Sequence, residues 1–445
     1  MNKSISTQNL RAFDRAFKKD NAHLVAMNAA TKNGVLNASR NPDCNTDVLP
    51  AFSVELETGK VCNQKQSGRC WMFASLNVMR LELMKKWNLK NVEFSQAYPF
   101  FFDKLEKANH FLENILETLD LDTSDRVIAH LMQDPVQDGG QWDMFRSLVA
   151  KYGIVPKDVM PDTASCESSS DMNRFLTLKL REYACTLRKM AKKKVQMRVL
   201  RAEKEQMMET IYRMLCISLG RPPERFSWSV RDKDKKRHSV EDITPQEFFK
   251  KYIGWNLDDY VTVINAPTAD KPYGKTYTVE YLGNVRGGAY PVKYLNLPVE
   301  DLKKLTIAQL KDGHAVWFGS DVGQFSDRVG GFLTLDAYRT DLLYDTKFPM
   351  NKAERLDYGE SMMTHAMAIT GVDLDKSGKP RYWKVENSWG KDRGKDGYYL
   401  MSDAWFSEYV YQILLNRSYF NATQRKQFDT EPVVLAPWDP FGSLA

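Results

Sequence analysis

Residues Asn63 to Arg80 read NQKQSGRCWMFASLNVMR, with Gln64 six residues before a Cys that is followed at once by Trp71. A single Cys in apolar surroundings means little, because free cysteines are among the most often buried residue types. The spacing carries the information. From Cys70 onward Met72, Leu76, Met79 and Leu83 recur at steps of four, three and four, which predicts one apolar stripe on a helix. Lys85 and Lys86 suit the negative end of its dipole, and Gly68 supplies a tight turn before it. Cys70 then lies in the first turn of a buried helix, where a nearby imidazolium and the helix N-terminus together lower a thiol pKa and make the sulfur nucleophilic.

Six histidines are candidates for the partner: His23, His110, His130, His238, His314 and His365. His365 opens an alternating run, HAMAITGV, in which His365, Met367 and Ile369 share one strand face and Ala366, Ala368 and Thr370 the other. RYWKVENSWG follows after a loop and predicts an antiparallel neighbour that brings Asn387 beside His365. An amide oxygen there fixes the imidazole tautomer and turns the other ring nitrogen to the sulfur. Trp389, two residues on, is expected on the same face as a shield against water. His314 also leads a strand, but no Asn-bearing strand follows it, so it is read as structural. Gln64 takes the remaining role: acyl transfer develops an oxyanion, and a side-chain amide with the Cys70 backbone N–H would stabilise it.

The rest of the chain bounds this reading. A length of 445 residues, 27% charged and 43% hydrophobic, describes an ordinary globular protein of two to four structural units. The start, MNKSISTQNLRAFDRAF, has no apolar signal core, and no run approaches the roughly 18 apolar residues of a membrane helix. The expectation is a cytoplasmic protein with no membrane association. Six cysteines, none in C-x-x-C pairs or near His at zinc spacing, predict reduced thiols and neither a disulfide framework, a metal nor a cofactor.

Helical text in the first half and short β-rich runs after Lys250 predict an α+β organisation. Three parts are expected: residues 1–164, carrying the nucleophile; a basic helical insertion over 165–265; and a strand-rich part, 266–445, with the His and Asn. Twelve Lys and Arg residues against five acids between Asp171 and Leu215 place the basic excess (net +6) on one long helix. In QDPVQDGGQWDM, the Gly139-Gly140 pair allows close backbone approach to a ligand.

Gln64, Cys70-Trp71, His365-Ala366 and Asn387-Ser388-Trp389-Gly390 with Gly394 and Gly397-Tyr398 resemble the papain-type cysteine peptidases. The closer resemblance is to the bleomycin hydrolase and aminopeptidase C family, through Asn63–Trp71 and the chain end PWDPFGSLA, Pro437–Ala445. It spans nearly the whole chain. Two small departures stand out: Gln66 takes a position often Ser in relatives, and the loop between His365 and Asn387 is longer than in papain itself.

The resemblance implies a papain-like fold of two subdomains, one helical and one β-barrel-like, with the insertion serving oligomerisation. It assigns Cys70 as nucleophile, His365 as general base and acid, Asn387 as its orienter and Gln64 as oxyanion donor, with Gly139 and Gly140 binding the substrate backbone and Trp389 also at the substrate-binding site. It also implies that the tail lies in its own cleft, the Ala445 carboxylate near the substrate's free amino group, so that peptides lose N-terminal residues and internal bonds are excluded. A homohexameric ring and hydrolysis of bleomycin-like amides come with it. The basic insertion is expected either to be a solvated face, or to line the ring's interior channel with positive potential, or to bind nucleic acid. Two competing readings remain: an endopeptidase of ordinary papain type, and an inactive nucleic-acid-binding homologue.

Overall fold

The computed structural model describes residues 3–44 and 51–444. Helices dominate the first half: Cys70–Lys86, Ala97–Glu117 and Trp142–Tyr152 pack together. From Tyr260 onward the chain builds one large, mainly antiparallel sheet. Its central strands run in the spatial order Tyr260–Ile264, Val410–Asn416, Val316–Ser320, His365–Leu374, Pro380–Glu386 and Tyr398–Ser402. The Cys70 helix lies against Val316–Ser320 and His365–Leu374.

Strand alternation explains why two cores form. Ala366 and Ala368 face the helices, whereas Met367 and Ile369 point to the opposite core with Trp383 and Trp405. Small residues on the first face let the Cys70 helix approach the sheet closely.

That helix departs from the single stripe its periodicity predicts. Every residue from Cys70 to Arg80 is buried, including Asn77 and Arg80. A helix enclosed on all sides has no solvent face for a stripe to oppose. Trp71, Met72, Phe73 and Leu76 are each at most 1% exposed, and each contributes about 2 kcal/mol of apolar burial.

The predicted long basic helix is two helices, Ser170–Lys192 and Met197–Leu219, interrupted where Lys194 takes a positive φ of 57°. Nor is the stretch 165–265 wholly helical, because Phe226–Arg231 pairs with Arg237–Ile243 as a hairpin. Several of its cations serve internal contacts. Arg201 and Lys204 both pair with Glu113 on the Ala97–Glu117 helix, and Arg188 donates to the Thr118 carbonyl at 3.0 Å.

No helix among the described residues is long and apolar enough to cross a membrane. The six cysteines are free, and no described group of three or more His, Cys, Asp or Glu side chains is placed to hold a metal ion.

Candidate active site

Cys70 is the first residue of its helix and is 2% exposed. No side chain caps this helix: Arg69, at φ −92° and ψ 13°, leads into it without a capping hydrogen bond. The Met72 and Phe73 N–H groups donate to the Arg69 carbonyl at 3.0 Å, and the backbone amides of Ala366, Trp71 and Cys70 itself turn to the sulfur. Burial nevertheless dominates and pushes the thiol up to about 11.

The Ala366 amide in that set places the start of the His365 strand against the sulfur. His365, 5% exposed, opens that strand, and its Nε2 lies 2.9 Å from Asn387 Oδ1. The acceptor amide oxygen fixes the hydrogen on Nε2 and leaves the lone pair on Nδ1. Burial pushes the imidazole down to about 4, partly opposed by Asn387 and reinforced by the Arg328 charge.

Asn387 comes within reach because Ala368 pairs with Glu386 across the two strands, leaving Asn387 just past the strand end. Its Oδ1 also accepts the Ser388 N–H at 2.7 Å. Trp389 is therefore not on a continuing strand as predicted. Its ring still covers His365, with centroids 4.7 Å apart, and the Arg328 guanidinium sits 5.4 Å from the Trp389 ring centre.

Gln64 is joined to this group by a residue that sequence reasoning passed over. The Ser388 hydroxyl donates to Gln64 Oε1 at 2.6 Å, and the Gln64 backbone N–H donates to the Ser388 carbonyl at 2.8 Å. Gln64 Nε2 donates one hydrogen to the Ser67 carbonyl at 2.6 Å, leaving the second available. Ser388 stood in the quoted NSWG motif; only its pairing partner was invisible.

Gly139 and Gly140 lie beside the nucleophile loop. A Cβ on Gly140 would fall 2.5 Å from the Trp71 ring, so packing alone demands glycine there. Trp71 Nε1 donates to the Asp138 carbonyl at 2.8 Å, and Lys107 Nζ donates to the Gly139 carbonyl at 2.6 Å. Arg80 and Glu386, also unanticipated, form a buried ion pair at 2.7 Å.

The tail returns to this region. Gln141 Nε2 donates to the Ser443 carbonyl at 2.6 Å, while the Ser443 hydroxyl donates to the Met363 carbonyl at 3.0 Å. One residue thus spans from the loop after Gly140 to the segment before His365. Phe441 is buried near Tyr294 and Tyr411. Lys271 holds Asp439 at 2.8 Å, and Arg126 stacks over Trp438 at 3.7 Å. A cavity of about 910 Å³ opens alongside, lined by Lys107, Met144, Thr364 and the tail from Ala436 to Leu444. Ala445 lies outside the described residues.

Comparison with known proteins places the chain in a family. The model of the peptidase C1-like family matches residues 4–442. Aminopeptidase C of Lactobacillus delbrueckii subsp. lactis is 48% identical over 448 residues, covering 100% of this chain and 99% of the relative. Aminopeptidase C of Streptococcus thermophilus is 49% identical, with 94% of each chain covered. The crystal structure of PepW from Lactobacillus rhamnosis HN001 superposes with a TM-score of 0.98 at 51% identity, covering 100% of both chains. The α+β fold is thus that of the papain-like cysteine peptidases. The chain belongs to the peptidase C1-like family, among its cysteine-type aminopeptidases.

Proposed function

We propose that this cysteine aminopeptidase removes N-terminal residues from peptides through an acyl-enzyme on Cys70. The observation that carries the reading is the 2.9 Å bond from His365 to Asn387 at the mouth of the uncapped Cys70 helix. Burial favours the neutral form of both thiol and imidazole. The nucleophile then arises by transfer of the thiol proton to His365 Nδ1 rather than by its loss to water. The sulfur adds to the scissile carbonyl, and the oxyanion is held by Gln64 Nε2–H and the Cys70 N–H. Collapse breaks the C–N bond, His365 returns the proton to the leaving amine, and water, activated by the same imidazole, hydrolyses the thioester.

Exopeptidase action is supported by the tail, whose Ser443 bridges the two sides of the cleft. A segment seated there leaves room for little of the substrate beyond its N-terminal end. In this reading Ala445 presents a carboxylate to the substrate α-ammonium, and Gly139 and Gly140 bind substrate backbone. The relatives named aminopeptidase C support the same direction of attack.

The test is a fluorogenic aminoacyl amide beside its N-acetylated twin, with Cys70→Ala as control. Cleavage of the free amine alone, lost in the variant, is expected. Cleavage of both would favour the endopeptidase reading, and cleavage of neither would favour the inactive homologue.

Three finer assignments belong to this proposal: a reducing, cytosolic setting, in keeping with six free cysteines; bleomycin-like amides as side substrates; and assembly as a homohexamer through residues 165–265. The exposed Lys189, Lys192, Lys193 and Lys194 give that stretch a positive rim suited to an anionic partner such as nucleic acid. Light scattering gives the mass of the assembly, and a salt-titrated mobility shift tests the nucleic acid.

A further inference from the structure

Asp138 takes no part in the chemistry above, yet four donors from three segments of the chain converge on its carboxylate. Oδ1 accepts from Lys104 Nζ and from Asn173 Nδ2, each at 2.6 Å. Oδ2 accepts the Gly68 backbone N–H at 3.0 Å and the Ser169 hydroxyl. The side chain is 10% exposed, and its Lys104 partner is fully buried. With both oxygens doubly satisfied and a buried cation beside it, the carboxylate is fixed in place and stays ionised.

What it fixes matters more than its own stability. Gly68 lies between Ser67, whose carbonyl receives Gln64 Nε2, and Cys70, whose N–H faces the sulfur. Holding the Gly68 amide therefore sets the position of both donors that the proposed mechanism gives to the oxyanion. The Asp138 carbonyl meanwhile holds Trp71 Nε1. Two of the four donors, Ser169 and Asn173, belong to the start of the Ser170–Lys192 helix. The insertion thus reaches into the nucleophile loop.

We propose that Asp138 is a positioning residue for the oxyanion site, and that the first turn of the inserted helix, through Ser169 and Asn173, is part of its support. The inference rests on the reading of Cys70 as nucleophile and Gln64 as oxyanion donor. It makes a specific kinetic claim. Asp138 acts through groups engaged only once the tetrahedral oxyanion exists, so its loss lowers kcat and leaves KM in place. Alkylation of Cys70 by iodoacetamide forms no oxyanion. That rate is spared, or rises, because the Asp138 charge opposes thiolate formation.

The experiment compares Asp138→Asn, the charge-balanced pair Lys104→Met/Asp138→Asn and the pair Ser169→Ala/Asn173→Ala. The charge-balanced pair covers the case in which an unpaired buried Lys104 prevents Asp138→Asn from folding. Each is assayed for kcat and KM on a free-amine aminoacyl amide and for iodoacetamide alkylation, with Cys70→Ala in parallel. Loss of one whole oxyanion donor costs about 10²–10³ in kcat. Displacement of both is accordingly expected to cost at least about tenfold in the Asp138 variants, and the Ser169/Asn173 pair to show the same signature more weakly, with KM and alkylation within about twofold. Unchanged kcat in the charge-balanced pair overturns the inference, as does a parallel fall of kcat and alkylation, which marks general disruption. Activity surviving in Cys70→Ala would instead remove the catalytic reading itself.

Discussion

Arg80 Nη2 lies 2.7 Å from Glu386 Oε1, with both side chains 1% exposed. Arg80 sits ten residues along the helix that Cys70 begins, and Glu386 is the residue before Asn387. The pair therefore ties the helix bearing the sulfur to the strand that delivers the orienting amide. Arg80 Nη2 also donates to the Thr58 carbonyl at 2.7 Å and Nη1 to the Cys62 sulfur at 3.5 Å, while the buried Nε has no partner among the described residues.

Breaking one side of a buried pair strands the other charge, which costs about 3–5 kcal/mol, whereas replacing both is often near neutral. Arg80→Met is expected to lose stability on that scale in urea denaturation. Arg80→Met/Glu386→Leu is expected to recover most of it. Equal losses in the single and double variants would contradict the coupling.

Gly140→Ala places a methyl where the Trp71 ring already lies. Overpacking of this kind costs about 1–3 kcal/mol, and the ring cannot move without weakening its bond to the Asp138 carbonyl. A lower melting temperature together with reduced kcat is expected. Wild-type values for both would show that the ring has another seat.

The buried pair makes a pH prediction. His365 is held down at about 4 and Cys70 up at about 11. Without the imidazole, thiolate comes only from loss of the proton to water. In His365→Ala, alkylation of Cys70 is therefore expected to be slow at neutral pH and to climb toward about pH 11, while the wild type reacts readily at pH 7. Stability follows the same residue. Unfolded chains bind a proton at His365 near 6.5 and the folded protein only near 4, so the unfolded state binds more protons between these limits and stability falls as pH drops through them. The drop is about 3 kcal/mol at most. His365→Gln should flatten that part of the curve; an unchanged pH dependence would contradict the assigned burial.

Removing Leu444 and Ala445 is expected to lower aminopeptidase activity and to admit N-acetylated peptides. Lys271→Met, which frees Asp439 from its 2.8 Å anchor, is expected to do the same more weakly. Full activity with continued exclusion of blocked substrates would refute the role of the tail.

Much of the site was legible because its groups lie in short motifs that chemistry constrains. A helix from Cys70 and an antiparallel pair bringing Asn387 beside His365 followed from periodicity and turn residues, although Asn387 lies just past its strand, and the α+β organisation followed from the change of pattern near Lys250. The misses share a physical cause. Arg80 and Glu386 stand 306 residues apart, and Ser388 and Gln64 are 324 apart; no local pattern reveals such partners. The Cys70 helix is enclosed all round from Cys70 to Arg80, where small sheet residues let it pack closely, which its own spacing cannot show. The break at Lys194 interrupts a pattern that is periodic on both sides. Asp138 stood in plain view in QDGG, but glycine drew the attention.

The most direct test of the central claim is to quench the enzyme during turnover of a slowly deacylating aminoacyl ester and map the modified peptide by mass spectrometry. The account predicts a single acyl adduct on the peptide containing Cys70, absent in Cys70→Ala and strongly reduced in His365→Ala. An adduct on another residue, or full turnover in Cys70→Ala, would contradict it.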